Sequence, residues 1–187
     1  MGFFQTTVIK KHLKALDKQV INAAFTKFRK HFLNPTIQEN IRNLKEEEYQ
    51  EGFLNDLFVK VLGYRKNPTP NYNLKLENKK VNDSRKADGA MTVNDTIKAV
   101  IELKGTDTTD LSKIEDQAFG YKNNQRECVY VITSNFEKLR FCIDNAVEHI
   151  EFNLFSLSEE DFELLYLCLT WENIEKRNPP KDKRRIH

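Results

Sequence analysis

The stretch Ile97-Lys98-Ala99-Val100-Ile101-Glu102-Leu103-Lys104 constrains the fold of this chain more than any other. Read at a period of two, it sends Ile97, Ala99, Ile101 and Leu103 to one face and Lys98, Val100, Glu102 and Lys104 to the other, which makes it a strand with one apolar side. An acid and a lysine then stand side by side at its end, a costly placement unless they are paired or bound to a metal. The run from Lys86 to Val93 alternates in the same way, and Asn94-Asp95 between the two runs is a hairpin turn pair. A hairpin closed there brings the far ends of the strands together, so Asp88 approaches Glu102 and Lys104.

The flanking chain has a different texture. From about Thr7 to Phe32 apolar residues recur at helical spacing (Val8, Leu13, Leu16, Val20, Ile21, Ala24, Phe25, Phe28, Phe32), which predicts one amphipathic helix. Asn34-Pro35-Thr36 ends it. A second helical segment runs from about Ile37 through Glu46-Glu47-Glu48 to Leu62, interrupted near its middle, with Gly63 as its terminator. After Asn67-Pro68-Thr69-Pro70 the period drops to two, and Tyr72 to Leu76 reads as a strand. Thr108-Thr109-Asp110 precedes a helix from Leu111 to about Asn123. Cys128–Thr133, Leu139–Ile143 and Glu151–Phe155 read as strands, and Ser158 caps a last helix through Thr170. The charged tail from Asn173, with Pro179-Pro180, reads as a linker or frayed end.

This order predicts an α/β (α+β) fold, a mixed central sheet with helices on its faces. It divides the chain into an N-terminal helical extension (1–45), a core (46–172) and a tail (173–187). With 187 residues, 39% of them hydrophobic, the chain supports one well-cored domain. A formal net charge of +2 leaves any contact with nucleic acid to local patches. The three cysteines, Cys128, Cys142 and Cys168, sit in apolar contexts and read as buried thiols of a reducing, cytoplasmic protein. No run of about 20 apolar residues is present, so no membrane partner is expected. The histidines are scattered without zinc-ligand spacing. The basic runs Lys10-Lys11-His12-Leu13-Lys14 and Lys27-Phe28-Arg29-Lys30-His31 describe solvated helix faces more readily than phosphate contacts.

Two converging carboxylates and a lysine carry the chemistry. Hard oxygen ligands of this kind suit Mg²⁺, and Lys104 is placed to position or help deprotonate a water and to offset phosphate charge. The spacing alone also describes a surface aspartate beside an ordinary Glu/Lys cross-pair. Gln117 and Tyr121 lie at i and i+4 on one helix face just after these residues, a pair that equally describes a half-buried core contact.

Taken together, Lys86-Ala87-Asp88-Gly89, Val100-Ile101-Glu102-Leu103-Lys104-Gly105 and Gln117-Ala118-Phe119-Gly120-Tyr121 resemble the PD-(D/E)XK nuclease core with its Gln-x-x-x-Tyr motif. The resemblance is closest to the N-terminal nuclease domains of fused type IIG restriction-modification enzymes and more distant to the motor subunits of type I restriction enzymes. It covers roughly Glu51 to Ile174, and Val131 to Phe141 resembles the family segment that returns to the sheet. It implies a restriction-endonuclease-like fold and Mg²⁺-dependent hydrolysis of double-stranded DNA, with Mn²⁺ as a substitute. It carries the metal-ligand role to Asp88 and Glu102, the catalytic-lysine role to Lys104 and the accessory role to Gln117 and Tyr121. Glu51 occupies the place of a further acidic ligand on the helix before the sheet. Ala87 stands where the proline of the family name would be.

The fused enzymes continue into a methyltransferase domain, and this sequence holds no SAM-binding motif. A methyltransferase or specificity module, fused or in trans, is therefore an expected partner, and cutting both strands implies a transient homodimer. Two alternatives share the fold: a non-catalytic DNA-binding or assembly module, and a nuclease acting on single strands or RNA.

Overall fold

The computed structural model describes residues 6–76, 87–144 and 148–175. Lys86, expected to open a strand, and residues 176–187 of the expected tail lie outside the described residues. The helices are α1 (Thr6–Lys14), α2 (Lys18–Phe32), α3 (Pro35–Asn43), α4 (Glu46–Phe53), α5 (Ser112–Asn123), α6 (Glu159–Leu169) and α7 (Trp171–Glu175). The strands are β1 (Leu74–Leu76), β2 (Gly89–Val93), β3 (Thr96–Leu103), β4 (Tyr130–Ser134), β5 (Lys138–Ile143) and β6 (His149–Asn153), and they lie in that order in one sheet. The fold is mixed α/β, as the order of periodicities predicts.

Each neighbouring pair of strands is antiparallel except β3 and β4. Antiparallel neighbours close through short turns, whereas a parallel pair needs a crossover, and α5 supplies it here. The β2–β3 turn has Asn94 at φ 48° and Asp95 at φ 62°. Two successive left-handed residues match the right-handed twist of a hairpin, and Asn and Asp tolerate that conformation better than other side chains.

The sheet separates two apolar layers. Ala99, Ile101 and Leu103 of β3 pack with Ile132, Leu139 and Phe141 into the larger one, which also takes Phe28 and Phe32 of α2, Phe53 of α4 and Phe162 of α6. The opposite face carries a smaller cluster in which Val100, Val131 and Cys142 meet Ala118 and Tyr121 of α5. In the large layer the Phe28 ring lies 4.9 Å from Phe32 and 5.1 Å from Phe162, centroid to centroid. Offset and tilted aromatic pairs add to the gain from area burial.

Local capping overrides two expectations and locates the break that a third anticipates. The single helix expected over Thr7–Phe32 divides because Asp17 Oδ1 accepts from Gln19 N at 2.9 Å and Val20 N at 3.4 Å, starting α2 afresh. The helix expected from Ile37 begins earlier, at Pro35, because Asn34 Oδ1 accepts from Thr36 N at 3.0 Å and proline suits the first turn. The interruption expected within that segment falls at Leu44–Lys45, where Glu48 Oε2 accepts from Lys45 N at 2.7 Å and opens α4. Asn173, expected to begin the tail, lies in α7, and Trp171 Nε1 at the start of that helix donates to Thr92 O at 3.1 Å.

Past Phe53 the helix widens into a π-helical segment, Leu54–Val61, whose end is marked by Leu62 N donating to Leu57 O at 3.0 Å. Gly63, at φ +77°, then turns the chain out, as its type predicts. The wide turn brings Asp56, only 8% exposed, into a polar cluster. Tyr49 OH donates to Asp56 Oδ2 at 3.0 Å, Lys60 Nζ to Oδ1 at 2.7 Å, and His31 Nε2 stands 3.1 Å from Oδ2. Burial pushes the Asp56 carboxyl up, but hydrogen bonds from His31, Lys60 and Tyr49 outweigh it and hold the group at about 2.

Two outcomes follow from this layer. Phe28→Ala is expected to lower the unfolding free energy by about 3–5 kcal/mol, measured by urea melts; a loss under about 1 kcal/mol would mean that α2 does not share the core of the sheet. Because the Asp56 carboxyl is lowered by folding, its contribution is present above its ordinary value near 3.8 and fades as pH falls towards about 2. The stability difference between wild type and Asp56→Asn is expected to be roughly 2 kcal/mol at pH 6 and to shrink between pH 4 and pH 2. A difference independent of pH would remove the assignment.

Candidate active site

The carboxyl end of β3 carries charge into the fold on the α5 side. Glu102 follows the strand's parity onto the α5 face, opposite Thr133 of β4, and is fully buried. A buried carboxylate needs compensating donors, and two converge on Oε1: Gln117 Nε2 at 2.7 Å and Lys104 Nζ at 3.6 Å. Gln117 Nε2 also lies 3.0 Å from Tyr121 OH, so the i, i+4 pair on α5 forms a short chain ending on Glu102.

Asp88 immediately precedes β2. The register Gly89↔Ile101 and Ala90↔Val100, carried one residue further, sets it opposite Glu102. Its side chain is 4% exposed and Oδ2 accepts from Leu103 N at 2.7 Å. The carboxylate is thereby fastened to the backbone between Glu102 and Lys104, a charge-assisted bond that fixes its direction.

Lys104 reaches in two directions. Its ammonium lies 3.6 Å from Glu102 Oε1 and 3.3 Å from Glu46 Oε1 in the first turn of α4. Glu46 is itself held by Gln50 Nε2 at 2.8 Å. A Cβ at Gly105 would lie 2.8 Å from Asp107 Oδ1, so the glycine leaves room for the Asp107 side chain beside the strand end.

Five of the six residues singled out from the sequence are therefore gathered: Asp88, Glu102, Lys104, Gln117 and Tyr121. Glu51 is not. It pairs with Lys66 at 3.0 Å with its side chain 72% exposed, and the acid that α4 presents to Lys104 is Glu46. Five positions along a helix turn a side chain by about 140°, whereas Glu46 and Gln50, four apart, share a face. That i, i+4 acid–amide pair was the signal in the sequence, obscured by the run Glu46-Glu47-Glu48.

Among the described residues, no group of three or more His, Cys, Asp or Glu side chains is arranged to hold a metal ion. All three cysteines are buried and free, and burial pushes their thiols up, that of Cys128 to about 11 and that of Cys142 to about 12. They pack as apolar groups and are poor nucleophiles. Among the described residues no helix is long and apolar enough to cross a membrane.

No protein-family model, curated protein or solved structure matches this chain. The chemistry of the site therefore rests on its own geometry.

The Glu102–Lys104 pair is expected to be energetically coupled. In a double-mutant cycle of Glu102→Gln and Lys104→Met, followed by urea unfolding, the coupling should be roughly 0.5–3 kcal/mol, with the double variant more stable than the single losses predict. Additivity within about 0.3 kcal/mol would show that Lys104 does not compensate the buried carboxylate.

Proposed function

We propose that this chain is a metal-dependent nuclease of the PD-(D/E)XK type that hydrolyses DNA phosphodiesters. The observation that carries the reading is the joint placement of Asp88, Glu102 and Lys104 at one strand end. Two carboxylates and an ammonium are fixed there by a hairpin register, a backbone hydrogen bond and the Gln117–Tyr121 chain.

The donor set suits Mg²⁺. That ion is commonly held by one or two carboxylates, its other positions filled by water and substrate phosphate, so Asp88 and Glu102 suffice without a third protein ligand. When bound, Mg²⁺ supplies a water of lowered pKa and neutralises charge building on the phosphodiester. Mn²⁺, with the same preference for oxygen ligands, is the natural substitute.

The protein's own part is positional. Leu103 N aims one carboxylate oxygen of Asp88, and Gln117 holds Glu102 in a single orientation, itself steadied by Tyr121. Lys104, a quarter exposed at its side chain, is the cation that reaches solvent from this cluster. It orients the attacking water, takes part in moving its proton and offsets charge on the scissile phosphate. Glu46 keeps the lysine over the strand end instead of letting it swing into solvent.

A second reading has an observation of its own. Asp88 accepts from Leu103 N through one oxygen, and Glu102 accepts from Gln117 through one oxygen with Lys104 beside it, so these contacts tie the cluster together as an internal ionic knot. A non-catalytic DNA-binding or assembly module would keep it for that reason. Double-stranded DNA is the proposed substrate, with a methyltransferase or specificity module and a transient second copy as proposed partners.

With supercoiled plasmid and Mg²⁺, Asp88→Ala, Glu102→Ala and Lys104→Ala should each lower nicking at least about 100-fold, while Glu51→Ala stays close to wild type. Parallel assays on single strands and RNA assign the substrate. DNA binding without metal-dependent nicking by the wild-type chain would favour the non-catalytic module.

A further inference from the structure

A concavity lies in the layer on the other side of the sheet from α5. Lys27, Lys30 and His31 of α2 and Asp56, Val59, Lys60 and Val61 of the π-helical segment line an open cleft of about 490 Å³. That volume is in the range of small-ligand sites, roughly 300–1,000 Å³. None of these residues belongs to the cluster around Lys104.

The charge balance defines what would fit. Three lysines face one concavity, and a single aspartate offsets them. Asp56 is committed on both oxygens, to Lys60 at 2.7 Å on one side and to His31 and Tyr49 at 3.1 and 3.0 Å on the other. It therefore acts as an anchor that holds Lys60 and His31 at the cleft, leaving Lys27 and Lys30 as cations without a countercharge within the lining. Cations lining one concavity repel one another less when an anion lies among them. Val59 and Val61 provide an apolar wall beside that charge. The π-helical turn that brings Asp56, Val59 and Lys60 to the cleft is the rarer and weaker helical geometry, a kind that concentrates at functional sites.

We propose that this cleft binds a phosphomonoester carried on a small, partly apolar body, the class to which nucleoside monophosphates belong. The compact, doubly charged head lies among Lys27, Lys30 and Lys60, whose ammonium groups act as point charges towards phosphate, with His31 as a further donor. The body lies against Val59 and Val61. The proposal does not depend on nuclease activity. Its ligand has two sources, a free nucleotide or the phosphorylated end of a nucleic-acid strand, which share that head group.

The test is calorimetric titration of the whole chain in EDTA, so that no divalent metal at Asp88 and Glu102 contributes. The probes are adenosine 5′-monophosphate, adenosine, inorganic phosphate, and a short oligonucleotide with and without a 5′-phosphate. Adenosine monophosphate is expected to bind at least tenfold more tightly than adenosine. Lys27→Glu/Lys30→Glu, which alters only exposed side chains, should weaken it at least tenfold, while the charge-matched Lys10→Glu/Lys11→Glu keeps wild-type affinity. Competition by the 5′-phosphorylated oligonucleotide alone assigns the strand end, and failure of both oligonucleotides to compete assigns the free nucleotide. No binding of the monophosphate, equal binding of adenosine, or equal weakening by both charge reversals overturns the proposal.

Discussion

The parallel pairing of β3 with β4 is the constraint on which the rest of the molecule depends. A strand that runs alongside its successor must send the chain back across the sheet, and α5 is that return. The crossover lays Gln117 and Tyr121 over the face to which β3 turns Glu102. On its other side β3 pairs antiparallel with β2, and that hairpin delivers Asp88. One strand with unlike neighbours thus draws polar groups from three elements to its carboxyl end, while its alternate residues are sealed in the aromatic layer beneath.

Much of this was legible because it depends on short-range rules. Strand parity placed Glu102 and Lys104 on one face, Asn94-Asp95 announced the hairpin that brings in Asp88, and i, i+4 spacing joined Gln117 to Tyr121. What was not legible depends on helix phase. That Glu46 and not Glu51 faces Lys104 depends on where α4 begins, and that start is set by the Lys45–Glu48 contact more than by any apolar repeat. The expected long helix failed at Asp17 for the same reason, since apolar periodicity ran through a break that one side chain imposes. The π-helical segment has no signature at a period of 3.6, so the Asp56 cluster could not be foreseen from spacing.

The two sides of the sheet treat charge differently. On the α5 face a buried glutamate is balanced by an amide and a lysine on neighbouring elements. On the opposite side a nearly buried aspartate gathers its partners from α2, α4 and the π-helical segment, with more positive charge than it can offset. In both, the carboxylate fixes the direction in which a cation points. α4 takes part in each, through Glu46 and Gln50 at one site and Tyr49 at the other.

That shared helix is located by a backbone conformation at the β4–β5 turn. Phe136 is fully buried at φ 71°, a left-handed conformation that costs a bulky residue on the order of 1–3 kcal/mol. Asn135 Oδ1, accepting from Lys138 N at 2.6 Å, and Ser134 Oγ, accepting from Phe136 N at 3.0 Å, hold it there. The ring is driven between Tyr49 and Phe53, 5.1 and 5.3 Å away. It ties this turn to α4, the helix that brings Glu46 to Lys104. Glycine at 136 would relax the backbone yet remove that ring, so ease of folding at this turn and packing of α4 pull the same position in opposite directions.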